Sequence, residues 1–124
     1  MEVGQTFTQT LTVQDKDSAR SLGSGGLDVF GTPAMIALME KTALLMVRPS
    51  LEAGTDTVGI EINAKHLKAS PIGAEITCTA TIRAIDGRKI SYTIEAKDGH
   101  GETIGTATHD RFIVDMDRFM SKLK

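Results

Sequence analysis

The amino-acid sequence predicts an α+β domain in which an antiparallel sheet curls around one long, largely buried helix. Three observations lead there. Only one stretch, Thr32 to about Val47, sustains a helical pattern. One alternating segment precedes it. From Thr57 onward the apolar period is two, through four successive segments separated by turn residues.

The first segment, Phe7 to Val13, places Phe7, Leu11 and Val13 on one face and Thr8, Thr10 and Thr12 on the other, which suits a half-buried strand. The polar run Gln14 to Arg20 leads into Ser21-Leu22-Gly23-Ser24-Gly25-Gly26, where dense glycine predicts a mobile or sharply turned loop and allows a lid. Thr32 is the expected helix N-cap, with Pro33 at the first helical position and Pro49 ending the run. At roughly 100° per residue, only Ala34, Ala37, Lys41, Leu45 and Arg48 share the arc that holds the basic residues. So narrow a polar strip predicts a helix wrapped on several sides. Strands are expected at Thr57–Leu67, Glu75–Ile85, Lys89–Lys97 and Glu102–Val114, with Asp86-Gly87 as a tight hairpin turn. Ile76, Cys78, Ala80, Ile82 and Ala84 share one face, as do Ile90, Tyr92, Ile94 and Ala96, so the sheet has one buried side. The tail from Asp115 suits a short terminal helix.

With 124 residues and 40% apolar side chains, the chain suits one packed domain spanning 1–124. Fourteen basic and sixteen acidic side chains leave a net charge of −2, so no footprint for nucleic acid or an anionic membrane is expected. The single Cys78 excludes an internal disulfide framework. No basic segment leads into an apolar one at the start, and no apolar run nears the ~20 residues of a membrane span. A cytoplasmic setting is expected. The three histidines show no metal-ligand spacing and the glycines no phosphate-loop pattern, so neither metal nor cofactor is expected.

Glu40 stands out among the polar residues. It shares the helix arc with Ile36, Ala43, Leu44 and Val47, and no cation lies three or four positions away. An unpaired buried carboxylate is costly, so Glu40 must be protonated, bonded across the fold, facing a water-filled cleft, or reaching solvent from the edge of the stripe. In a pocket it would act as a general base or nucleophile. His66, on the following strand, would complete an acid–base pair with it. Thr32, beside the positive end of the helix dipole, suits oxyanion or nucleophile stabilisation as well as capping. His109 and Arg111 share a strand face, where Arg111 calls for a carboxylate in an ion pair. His100 lies in a solvated turn.

The run Val29-Phe30-Gly31-Thr32-Pro33-Ala34-Met35 into Glu40, Val58-Gly59-Ile60 to His66, and Thr108-His109-Asp110-Arg111 resembles the fluoroacetyl-CoA thioesterase-like family of hotdog-fold proteins. The resemblance covers nearly the whole chain. It implies Thr32, Glu40 and His66 as the catalytic set, the Gly59 amide as a donor to the substrate carbonyl, and Arg111 near the site. It also implies a homodimer with the acyl-thioester tunnel between subunits. The family's founding type carries a phenylalanine-lined lid before the threonine. Here Leu22-Gly23-Ser24-Gly25-Gly26-Leu27 has no aromatic, which points to an ordinary small or medium acyl-CoA as the substrate to be hydrolysed. A non-catalytic acyl-CoA-binding module is the alternative. A hydratase would need an Asp/His pair, and Asp28 and Asp56 lack a suitably spaced histidine. Lys65, Lys68, Arg88 and Lys89 are candidates for the CoA phosphates.

Overall fold

A computed structural model describes residues 1–123. In chain order the elements are β1 (Thr6–Thr12), α1 (Ala19–Leu22), α2 (Thr32–Val47), β2 (Thr55–His66), β3 (Glu75–Asp86), β4 (Lys89–Lys97), β5 (Thr103–Asp115) and α3 (Met116–Ser121). The strands form one sheet in the order β1-β3-β4-β5-β2, and every neighbouring pair is antiparallel. β1 lies at one edge and β2 at the other, with α2 between them in sequence.

Alternation along the strands builds the core. β3 turns Ile76, Cys78, Ala80 and Ile82 inward, and β4 turns Ile90, Tyr92, Ile94 and Ala96 inward. Met35, Leu38, Met39, Ala43, Met46 and Val47 of α2 fill the concave side. Asp86 pairs with Lys89 across Gly87-Arg88, where Gly87 has φ +60° and so takes the conformation a two-residue hairpin turn demands.

Two expectations need correction. The polar and glycine-rich stretch before α2 is not simply an open loop. Ser18 caps a single helical turn by accepting from the Ser21 N–H at 3.1 Å, and Gly23 ends it in the left-handed region at φ +73°. Backbone bonds from Gly31 to Asp17, Ala19 to Val29 and Phe30 to Ser70, each 2.8 Å, then stitch the segment down, so its exposed tip is confined to about Gly23–Asp28. Nor is α2 wrapped on several sides within the chain. Pro33, Ala37, Lys41 and Arg48 are exposed, and Ala34, Ile36, Glu40, Leu44 and Leu45 are only partly covered. One sheet reaches around one side of a helix, and the opposite side keeps Ile36, Leu44 and Leu45 only partly covered.

Candidate active site

The structure gathers the sequence-predicted residues into two clusters along α2. The first forms at its N-terminus. Gly31, in extended conformation (φ −75°, ψ 140°), is the N-cap, because its carbonyl accepts the first helical bond from the Met35 N–H at 3.0 Å. Thr32 is therefore the first helical residue and not the cap. Its hydroxyl is released from capping and lies 2.8 Å from Nδ1 of His66, at the end of β2. His66 stands edge-on to the buried Phe30, with ring centroids 6.3 Å apart. Its Nε2 is buried, with no partner at hydrogen-bond distance among the described residues. Burial holds the imidazole below the usual histidine range, and the Lys68 backbone counters this in part. The ring is neutral at pH 7 and able to accept a proton.

The second cluster surrounds Glu40, two turns further along, about 12 Å down the axis from Thr32 at ~1.5 Å per residue. Glu40 is not sealed in apolar surroundings. Its side chain is 42% exposed, and Oε2 stands 3.8 Å from Nη1 of Arg111, an ion pair longer than a hydrogen bond. Of the alternatives open from the sequence, a partner across the fold together with access to solvent is what the structure provides. The imidazole beside Glu40 in its own chain is that of His109, not His66. Gly59 explains how these groups approach. A β-carbon there would stand 3.0 Å from Glu40 Oε2, 3.2 Å from His109 Cε1 and 3.3 Å from Arg111 Nη1. The pairing of β2 with β5 slips between Gly59 and Glu61, a bulge at the point where the three side chains converge.

Arg111 is buried and held from the sheet side. Its Nε donates to Thr57 Oγ1 at 2.8 Å, its Nη2 to the Thr57 carbonyl at 2.9 Å, and its Nη1 to His109 Nε2 at 3.2 Å. Tyr92 stacks on His109 with centroids 6.0 Å apart, and burial raises its phenol to about 12 against the opposing effect of Arg111. Sequence reasoning passed over Thr57 and Tyr92 and called for a carboxylate partner to Arg111, which the structure supplies in Glu40, but did not foresee the contact of Arg111 with His109. Their convergence depends on strand register, which spacing alone does not reveal; the alternation of His109 and Arg111 on one face was the available signal.

Other candidates lie elsewhere. Cys78 is buried, and burial raises its thiol, with Thr42 opposing, so it is no nucleophile. Lys68 is engaged by Asp98 at 3.1 Å and by Glu102, and Lys89 lies 3.9 Å from Asp110. Lys65 and Arg88 are exposed, as is His100 in its turn. Among the described residues no three His, Cys, Asp or Glu side chains are grouped to hold a metal, and no helix is long and apolar enough to cross a membrane.

Comparison with known proteins gives this arrangement its context. The family model for the fluoroacetyl-CoA-specific thioesterase FlK matches residues 13–117. The chain belongs to this family. The fluoroacetyl-CoA thioesterase of Streptantibioticus cattleyicolor is 33% identical over 130 aligned positions, spanning 100% of this chain and 93% of that protein. A crystal structure of FlK superposes with a TM-score of 0.92 at 33% identity, covering 98% of this chain and 94% of the other. A thioesterase superfamily member from Thermus thermophilus shares the fold, with a TM-score of 0.90 at 21% identity over 97% of this chain and 88% of that one. The architecture is thus the hotdog fold, as the sequence led us to expect, and the enzyme class is that of thioester hydrolases.

Proposed function

We propose that this chain hydrolyses a short or medium acyl-CoA through Thr32, His66 and Glu40, in a homodimer whose active sites lie between subunits. The observation that carries the reading is the 2.8 Å contact between Thr32 Oγ1 and His66 Nδ1. A hydroxyl bonded to a neutral imidazole, at the positive end of a 16-residue helix, is a nucleophile paired with its base. His66 takes the Thr32 proton as Oγ1 attacks the thioester carbonyl, then passes it to sulfur as the carbon–sulfur bond breaks and the CoA thiol leaves. Water attacks the acyl-threonine, giving a proton to His66, which returns it to Thr32 Oγ1 as the acid departs. The Gly59 amide accommodates the carbonyl oxygen, Glu40 orients the water, and Arg111 faces the acyl group.

The separation of the two clusters supports the dimer. A carboxylate some 12 Å along the helix from the Thr–His pair is out of reach within one chain. Antiparallel pairing through the free β2 edge would set one subunit's Thr32 and His66 opposite the other's Glu40, Gly59 and Arg111, and would cover the partly bare side of α2. The exposed tip before α2 lacks an aromatic, and the nearest one, Phe30, is buried against His66. That favours ordinary acyl groups over fluoroacetyl, which the homologue's name specifies. No nucleic acid or membrane partner and no cofactor enter this reading. The free thiol of Cys78 accords with a cytoplasmic setting.

Thiol release over a panel of acyl-CoAs, fluoroacetyl-CoA included, tests the proposal. Thr32→Ala and His66→Ala are expected to lower turnover by about 10²–10⁴-fold. Wild-type turnover in both variants would reject the site. Tight binding of acyl-CoA with no thiol release by the wild type would instead identify a binding module.

A further inference from the structure

Among the buried groups that this chemistry leaves unused is His109, and its contacts define its protonation state. Nδ1 lies 2.7 Å from the carbonyl oxygen of Glu61, which only accepts, so Nδ1 carries the hydrogen. Nε2 lies 3.2 Å from Nη1 of Arg111, which only donates, so Nε2 is bare. The ring is neutral and held in one tautomer. Among the described residues it is also the only acceptor on the sheet side that Nη1 meets, since the two bonds to Thr57 use Nε and Nη2. Without it, Nη1 is left facing Glu40 Oε2, now 3.8 Å away. A carboxylate is the stronger acceptor, and the two groups would close on each other across the opening at Gly59.

We infer that His109 is a positioning residue for thioester hydrolysis, its bare Nε2 holding Arg111 back from Glu40 so that guanidinium and carboxylate stay apart and both face the Gly59 opening. The inference rests on the site reading given above. The groups around His109 are Arg111 on its own strand, Glu40 from α2, the Tyr92 ring from β4, the Glu61 carbonyl from β2 and the adjacent Asp110. A proton on Nε2 would point a donor at a cation and release the clamp.

His109→Gln and His109→Asn separate this role from packing, because a glutamine amide oxygen reaches the position of Nε2 whereas asparagine reaches only that of Nδ1. Both are assayed in the purified protein, alone and combined with Arg111→Gln, with Tm recorded for each. We expect His109→Gln to keep kcat within about threefold of wild type, and His109→Asn to lose about ten- to a hundredfold. In the Arg111→Gln background the same exchange to asparagine is expected to cost nothing further. His109→Gln should also keep its rate on acidification relative to wild type. Should His109→Asn lower Tm to the assay temperature, Thr57→Val, which removes another Arg111 acceptor, takes its place in the cycle. Equal losses in both His109 variants, or a loss carried undiminished into the Arg111→Gln background, would overturn the inference. If that happens while Thr32→Ala and His66→Ala still abolish turnover, the site reading survives and this role alone falls. If those two variants turn over normally, both fall.

Discussion

Thr32 carries two demands that pull in different directions, and a shift of one residue resolves them. As an N-cap its hydroxyl would be spent on backbone amides of the first turn. Because Gly31 takes that position, Thr32 Oγ1 is free to meet His66. The imidazole is partly buried, and burial disfavours its charged form, so its titration falls below the ordinary 6.5. The base form prevails above that titration point. The rate is therefore expected to persist as pH drops through 6.5 and to decline only below it. Measured kcat/KM against pH checks this, and an acid limb turning at or above 6.5 would show that the catalytic base is some other group.

At the scale of elements, β2 is the strand on which most depends. Its paired side places Gly59 opposite Arg111 and His66 opposite Gly105, so one strand serves both clusters. Among the described residues its other side has no partner strand in the sheet, and Ile60, at the bulge, is 54% exposed. An apolar, unpaired edge of this kind is a surface that proteins either cover or protect with charge. Ile60→Arg is thus expected to weaken self-association at least tenfold, about 1.4 kcal/mol, and to reduce turnover in step, with Tm of the fold little changed. Sedimentation and thiol-release assays report the two effects. A protein already monomeric, or one that loses neither association nor activity, would count against the inter-subunit site.

For the whole molecule, one buried and one partly buried imidazole make stability depend on pH. Burial depresses His66 and His109 below 6.5; in His109 the nearby Arg111 adds to this, while the Glu61 carbonyl, Glu40 and Asp110 oppose it. The unfolded chain therefore binds more protons than the native one once pH falls below 6.5. Stability is full above that value and declines on acidification through the depressed titrations. Urea unfolding at stepped pH should show this decline, with a shallower slope in His109→Gln. A flat response below 6.5 would exclude it. The division between sequence and structure has the same physical basis. Periodicity alone determined one long helix, five antiparallel strands and most of their buried faces, since burial imposes the period of each element on its own residues; α2 spans Thr32–Val47 as read, whereas Ala84, expected inside, is exposed beyond the register shift that follows Ile82. A family resemblance carried by the motifs around Thr32, Glu40, His66 and Arg111 implied a thioesterase site. Which imidazole meets which acid, the release of Thr32 from the cap, and the hold of Thr57 and His109 on Arg111 were decided only by tertiary structure. These depend on strand register and on where a helix crosses a sheet, and such relations between distant segments leave no period in the chain.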